Sequence, residues 1–225
     1  NTIVAEIVKE YADMLEEWAD LSPNLKVITL IQQQYPKYKN ILFNGNGYDK
    51  NWEIEAKNLG LSNFKNTVEA LPNYISEETI SLFERNQVLT RAELQSRFHV
   101  YCERYNKQNN IEISSAIEIA RNEIYPSVLG YITKIAQNIE SLKSLVEEKE
   151  YQEEKKLLKT LLNHKNEMLQ YIHELTDGMK TATSIMNQYQ RAQYYSRTLV
   201  PKLAELRKVV DILEKQRNQP TWPIP

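Results

Sequence analysis

The sequence has few glycines, one cysteine, no long apolar run and no surplus of either charge, and each shortage removes a class of function. Five glycines in 225 residues leave few places where the backbone can take positive φ or let a ligand approach closely, as phosphate-cradling loops require. The single cysteine, Cys102, cannot close an internal disulfide, and the N-terminus carries no apolar secretory core. Nowhere do about 18 apolar residues run together, the length a membrane-spanning helix needs. With 28 basic against 30 acidic residues and a formal charge of -2, the chain has no electrostatic footprint for nucleic acid or an anionic membrane. These features predict a protein of the reducing cytoplasm, with neither nucleic acid nor membrane as a partner. The chain also starts at Asn1 directly in an apolar helical pattern, as expected of a piece cut from something larger.

What the chain does have is helical periodicity. Residues 2–21 place Ile3, Ile7, Val8, Tyr11, Met14, Leu15 and Trp18 on one stripe, with Glu6, Lys9, Asp13 and Glu17 towards water. Ser22-Pro23 is read as the end of this helix, and residues 25–35 as a second helix stopped by Pro36. Next comes a two-glycine loop clasped by aromatics, Phe43-Asn44-Gly45-Asn46-Gly47-Tyr48-Asp49-Lys50-Asn51-Trp52. Asp49 should cap a short helix that Gly60 stops. Residues 67–71 form a turn of helix ended by Pro72, and Ser76 opens another, with Glu77 and Glu78 at its positive end.

Thr90-Arg91-Ala92-Glu93 is a capping box, so a long helix starts there. Leu94, Phe98, Tyr101, Cys102 and Tyr105 carry its stripe to an expected irregularity at Asn109-Asn110. Ile111, Ala116, Ile117, Ala120 and Ile124 follow. Pro126 should bend the helix before Tyr131, Ile132, Ile135, Ile139, Leu142 and Val146 resume the stripe. A charged turn at residues 147–154 leads to Leu157, Leu158, Leu161, Leu162, Met168, Leu169, Ile172, Leu175 and Met179. The last helix carries Tyr195, Leu199, Leu203, Leu206, Val210 and Leu213, with Pro201 as a second bend. The fold class is therefore all-α: short helices and an irregular glycine loop, followed by a rod-like antiparallel bundle of helices ~45 Å long or more. The tail from Gln219 to Pro225 is too rich in proline for helix. It is read as extended, with Trp222 docking on a surface.

Candidate chemistry is sparse. The Asn44 to Tyr48 loop has neither the Gly-x-Gly-x-x-Gly spacing nor the Lys-Ser/Thr pair of a phosphate site. Its glycines are read as taking positive φ so that Phe43, Tyr48 and Trp52 can cluster, with weak anion binding as the alternative. His99 and Cys102 stand at i, i+3, but a structural zinc needs four ligands; His164 and His173 lie apart from them and there is no second cysteine. The pair is read as a half-buried imidazole beside an apolar thiol. A di-iron site needs Glu-x-x-His, whereas His164-Lys165-Asn166-Glu167 runs in the opposite order and looks solvent-facing. The charge run 143–159 is a solvated turn and helix start, and Tyr194-Tyr195 is either internal packing or a partner hot spot. No catalytic, cofactor-binding or metal-ligating residue is assigned.

An ordered series of short matches covers nearly the whole chain. It runs through Asn1-Thr2-Ile3-Val4-Ala5-Glu6, Phe43-Asn44-Gly45-Asn46-Gly47-Tyr48, Ala70-Leu71-Pro72, Ala92-Glu93-Leu94 with Ser96-Arg97, and Asn110-Ile111-Glu112. It continues through Ile124 to Val128, Tyr194-Tyr195, Pro201 with Glu205-Leu206-Arg207, and Trp222-Pro223. In this the chain resembles the C-terminal part of type III glutamine synthetase, the long-chain form found in bacteria. It departs from that pattern at Asp49-Lys50-Asn51, where Ser-Glu-Glu is usual, at Ser62 in place of proline, and at Gln95 in place of histidine.

The resemblance implies an enzyme that condenses glutamate with ammonia through γ-glutamyl phosphate, using ATP and magnesium. The family's catalytic motifs precede the matched region, so this fragment would bind no cofactor and be inactive alone. It implies that residues 1–40 are the last helices of a catalytic domain, 41–110 connecting loop and short helices, 111–218 the bundle and 219–225 the tail. Its partners would be the rest of the synthetase chain and neighbouring subunits of a homo-oligomer. Without its catalytic partner, the stripe Ile3, Ile7, Tyr11 and Trp18 should leave an apolar patch exposed or drive self-association. The competing reading is a free-standing helical scaffold that grips partner proteins. A third, an effector surface on the bundle, has no residue-level support in the sequence.

Overall fold

The computed structural model describes residues 1–216, so the tail around Trp222 lies outside the described residues. Among those described there is no strand, and the all-α expectation holds. Two compact units divide the chain, Asn1–Phe98 and His99–Pro225.

The first unit opens with α1 (Thr2–Glu17) and α2 (Pro23–Tyr38). Pro23 starts α2 instead of closing α1, because a proline in the first turn gives up an N–H that no helical bond would have used. Pro36 does not stop the helix either. It sits in the last turn of α2, where the lost bond to the carbonyl four residues back falls just as the helix ends. Helix α3 (Lys50–Asn58) is capped as expected, with Asn51 N–H donating to Asp49 Oδ1 at 2.9 Å. Gly60 ends it at φ +77. A single turn, α4 (Thr67–Ala70), passes into a 3-10 turn, Leu71–Ile75, that absorbs Pro72. In α5 (Glu77–Arg85) Ser76 Oγ accepts from Thr79 N–H at 3.2 Å.

Polar contacts join these short helices. Lys26 Nζ donates to Leu15 O at 2.8 Å, tying α2 to α1. Glu6 on α1 accepts from Arg85 Nη2 at 2.7 Å and from Asn86 Nδ2 at 2.6 Å, tying α1 to the end of α5. The buried apolar side chains of this unit include Ala56, Val68, Leu71 and Ile80, and neither α1 nor α2 contributes one.

Helix α6 (Arg91–Ile119) starts at the predicted capping box. Thr90 N–H donates to Glu93 Oε2 at 2.8 Å and Glu93 N–H to Thr90 Oγ1 at 3.3 Å. The helix then runs without interruption through Asn109-Asn110, where an irregularity was expected. Its asparagines are held by hydrogen bonds that offset their weak helix preference. Asn109 Nδ2 donates to Tyr105 O at 2.9 Å, and Asn110 Oδ1 accepts from Tyr195 Oη at 3.1 Å. Because the helix is continuous, its buried seam is Leu94, Phe98, Cys102, Asn106, Asn109, Ile113 and Ile117, continued by Ala120 in the next turn. Ile111 falls outside it and is 64% exposed.

At both prolines where a bend was expected, the structure has a π-helical turn. A π-helical turn, Ala120–Ile124, precedes α7 (Tyr125–Leu142), and a second, Tyr195–Leu199, joins α9 (Gln188–Tyr194) to α10 (Val200–Lys215). A proline ring crowds the carbonyl four residues back and leaves it without a donor. For Pro126 and Pro201 those carbonyls belong to Asn122 and Arg197, each inside a widened turn whose bonds reach five residues back. Between α7 and α9 lies α8 (Gln152–Ser184), its 33 residues giving a length of roughly 50 Å. The charged turn before it is a 3-10 turn, Glu148–Tyr151, with Tyr151 buried. Val128, Ile132, Ile135 and Ile139 of α7, Leu161, Met168, Ile172 and Leu175 of α8, and Leu206, Val209 and Leu213 of α10 form one core.

Candidate functional site

The glycine loop differs from its expected form. Phe43 and Trp52 stack with ring centroids 3.8 Å apart, but Tyr48 is 98% exposed and takes no part. Gly60 is the glycine with positive φ, so Gly45 and Gly47 are not present for left-handed backbone. At Gly45 the constraint is contact: a Cβ there would lie 2.5 Å from Phe43 Cζ, so the Phe43 ring would have to shift. The loop turns on side-chain bonds instead, Tyr48 N–H donating to Asn46 Oδ1 at 3.0 Å.

The histidines and the cysteine are not brought together. Cys102 is fully buried, whereas His99 is exposed, since i, i+3 positions at a stripe edge straddle core and solvent. Burial holds the Cys102 thiol above its usual pKa, so it stays protonated and unreactive near neutrality. His164 is half-buried, not solvent-facing, and its Nδ1 lies 3.2 Å from Glu167 Oε2, a contact along one helix face. His173 is exposed. Among the described residues no three of His, Cys, Asp or Glu converge as metal ligands. Tyr195 is buried, with its hydroxyl on Asn110, which is the internal-packing alternative for Tyr194-Tyr195.

The feature that stands out is apolar surface on the first two helices. Ile3, Val4 and Val8 of α1 are 66%, 65% and 61% exposed. On α2, Ile28, Ile31 and Tyr35, spaced as one helical stripe, are each half or more exposed. Of the expected patch, Ile3 is exposed, while Ile7, Tyr11 and Trp18 are half-buried. The Val4–Val8 pair and the α2 stripe extend it. So extended a run of exposed aliphatic side chains is unusual on the free surface of a monomeric protein.

The ion pairs around these elements are mostly on the surface. Hydrogen bonds from Arg85 and then Asn86 hold the Glu6 carboxylate below its usual pKa, and the two-pronged Arg91 contact does the same for Glu77. Lys202 of α10 pairs with Glu174 of α8 and lowers its pKa in turn. No helix among the described residues is long and apolar enough to cross a membrane.

Comparison with known proteins places this arrangement. The family model for "Glutamine synthetase C-terminal domain" matches residues 26–143, just over half of the chain. Glutamine synthetase of Butyrivibrio fibrisolvens is 32% identical over 202 residues, covering 88% of this chain and 29% of the relative. Type-3 glutamine synthetase of Dictyostelium discoideum is 27% identical over 230 residues, covering 100% of this chain and 31% of the relative. Glutamine synthetase of Bacteroides fragilis (strain YCH46) is 26% identical over 231 residues, covering 100% of this chain and 32% of the relative. The chain thus spans about three-tenths of the length of these relatives. Matched by this domain over more than half of its length and aligned from end to end with such relatives, the chain belongs to the glutamine synthetase C-terminal domain family.

Proposed function

We propose that this chain is the C-terminal structural and assembly segment of a type III glutamine synthetase, whose remaining parts ligate ammonia to glutamate with ATP. The segment is inactive alone. ATP and magnesium bind elsewhere in the longer protein, where carboxylates and arginines surround the transferring phosphoryl group. Residues 1–40 pack on the catalytic part, residues 41–110 connect, and the helices from 111 onward form the type-specific bundle. Its partners are the remainder of its own chain and neighbouring subunits of a cytoplasmic homo-oligomer.

The observation that carries this reading is the pair α1 and α2, which bury no side chain of their own yet present Ile3, Val4, Val8, Ile28, Ile31 and Tyr35 outward. In a chain that spans about three-tenths of its relatives, the missing cover is the rest of the synthetase. The purified chain, given glutamate, ammonia and magnesium ATP, should release no phosphate and form no glutamine. Glutamine formation would overturn the proposal. A free-standing scaffold would also be inactive, so a second test separates the two. The Butyrivibrio relative, shortened by its matching region, should lose its assembly state and recover it when this chain is added; a scaffold would leave it unchanged.

A further inference from the structure

The bundle carries an apolar groove along α10. One wall is the end of α6 with the first π turn, the other is α10 itself, and the cavity between them measures about 580 Å³. Small side chains open it, Ala116 and Ala120 lining one wall and Ala204 the other. Leu203, Leu206 and Val210 line the α10 side, and Ile119, 37% exposed, lies on the opposite wall. Packed interiors leave few gaps larger than a water molecule, so an apolar gap of this size has room for a further side chain. Among the described residues the charged groups on its lining are Arg207, Asp211 and Glu214, four and then three positions apart on α10. The ion pairs of α10 among the described residues are Lys202–Glu174 and Lys208–Glu205, so Asp211 and Glu214 have no cation of their own there.

The sequence holds a segment that matches this groove in tether, reach and chemistry. The lining ends at Glu214, and beyond Gln216 the chain reads Arg217-Asn218-Gln219-Pro220-Thr221-Trp222-Pro223-Ile224-Pro225. A segment joined to a site by so short a linker is present there at an effective concentration on the order of millimolar, ahead of a free partner. From Glu214 back to Val200 the groove follows α10 for about 21 Å at helical rise. Trp222, six residues past Gln216, commands about 20 Å of extended chain. With two or three residues used to reverse direction, the indole comes level with Leu206 to Val210. Trp222 and Ile224 are apolar, and Pro220, Pro223 and Pro225 bring no N–H to leave unsatisfied in an apolar gap. The one charged side chain of the segment, Arg217, is opposite in sign to the unpaired Asp211 and Glu214 at the near end of the groove.

We propose that residues 217–225 turn back along α10 and dock in this groove of the same molecule. Trp222 is the anchor between the two walls, Arg217 pairs with Asp211 and Glu214, and the Arg207 guanidinium lies over the indole face. The tail thereby closes the open side of the bundle. This assignment goes beyond the synthetase reading and does not depend on it.

The test is NMR of the 225-residue chain with isotopically labelled Ile, Leu and Val methyl groups. The native chain should show nuclear Overhauser contacts from the Trp222 indole to methyls of Leu203, Val210 and Ile119. The ring-current shifts of those methyls should vanish in Trp222→Ala. Ala204 is exposed, so Ala204→Trp should fill the groove without disturbing the core and abolish the Trp222 contacts. In a mixture of labelled and unlabelled copies the contacts should stay within one molecule. Methyl spectra that are identical in the native chain and Trp222→Ala overturn the proposal. So do contacts that cross between copies, which would give the groove to a second molecule's tail, or contacts that persist unchanged in Ala204→Trp. Activity or inactivity of the chain as a synthetase bears on none of these outcomes.

Discussion

Two helix ends in the first unit show how one backbone motif is met by two different residues. After α3, Gly60 N–H donates to Lys57 O and Leu61 N–H to Ala56 O; after α5, Gln87 N–H donates to Glu84 O and Val88 N–H to Phe83 O. Both are left-handed terminations, with φ +77 at Gly60 and +53 at Gln87. A side chain pays a steric penalty there that glycine does not. Gln87→Gly should therefore raise stability by about 1 kcal/mol, read from urea unfolding. An unchanged or lower midpoint would contradict this assignment. Gly178 on α8 is a different case, since its conformation is helical and its constraint is contact. A Cβ at Gly178 would lie 2.4 Å from Cδ2 of Leu199, itself fully buried in the second π turn. Overpacking costs of order 1–3 kcal/mol against about 1 kcal/mol gained from helix preference. Gly178→Ala should thus be net destabilising by about 1 kcal/mol, although alanine substitution inside a helix ordinarily stabilises.

At the scale of elements, α1 is held to α5 by Glu6, and that contact has a pH signature. Because the folded carboxylate has a lowered pKa, its contribution is complete above the usual carboxylate range and is lost as pH falls through the folded value. The chain should lose stability below pH of about 4. Glu77 and Glu174 share that direction, so the part due to Glu6 is the difference between the native chain and Glu6→Gln. The variant should be less stable at pH 7 and show a shallower acid loss; identical acid profiles would exclude this role for Glu6.

The elements themselves were largely legible in the sequence. The Asp49, Ser76 and Thr90 caps, the Gly60 stop and the Ile132, Ile135, Ile139 seam follow from local rules that tertiary structure did not override. What was not legible depended on distant partners. The local weakness of Asn109-Asn110 suggested a break, but Tyr195, 85 residues away, steadies Asn110 and lets α6 continue. That continuity moves Ile113 into the core and Ile111 out of it. Pro36 was read as a stop because a proline signals a missing donor, while the sequence does not say how far the helix had to go; the stop read at Pro72 holds, with α4 ending at Ala70. The burial of the Asn106 amide was invisible for the same reason. Its hydrogen bonds reach Gln188, 82 residues away, so they exist only once the tertiary structure is in place.

For the whole molecule, the two units differ in how they use apolar side chains. The second buries a continuous core from Ile113 to Leu213. The first leaves the aliphatic residues of α1 and α2 outward, and the account turns on what covers them. Exposed charge on that face should prevent docking without disturbing the fold, since Ile28 and Ile31 are half or more exposed and support no core. The direct measurement is co-sedimentation of this chain with the Butyrivibrio synthetase lacking its matching region, comparing the native chain with an Ile28→Glu, Ile31→Glu variant of equal helicity and unfolding midpoint. The account predicts a complex with the native chain and none with the variant; no complex with either, or an equally stable complex with both, would contradict it.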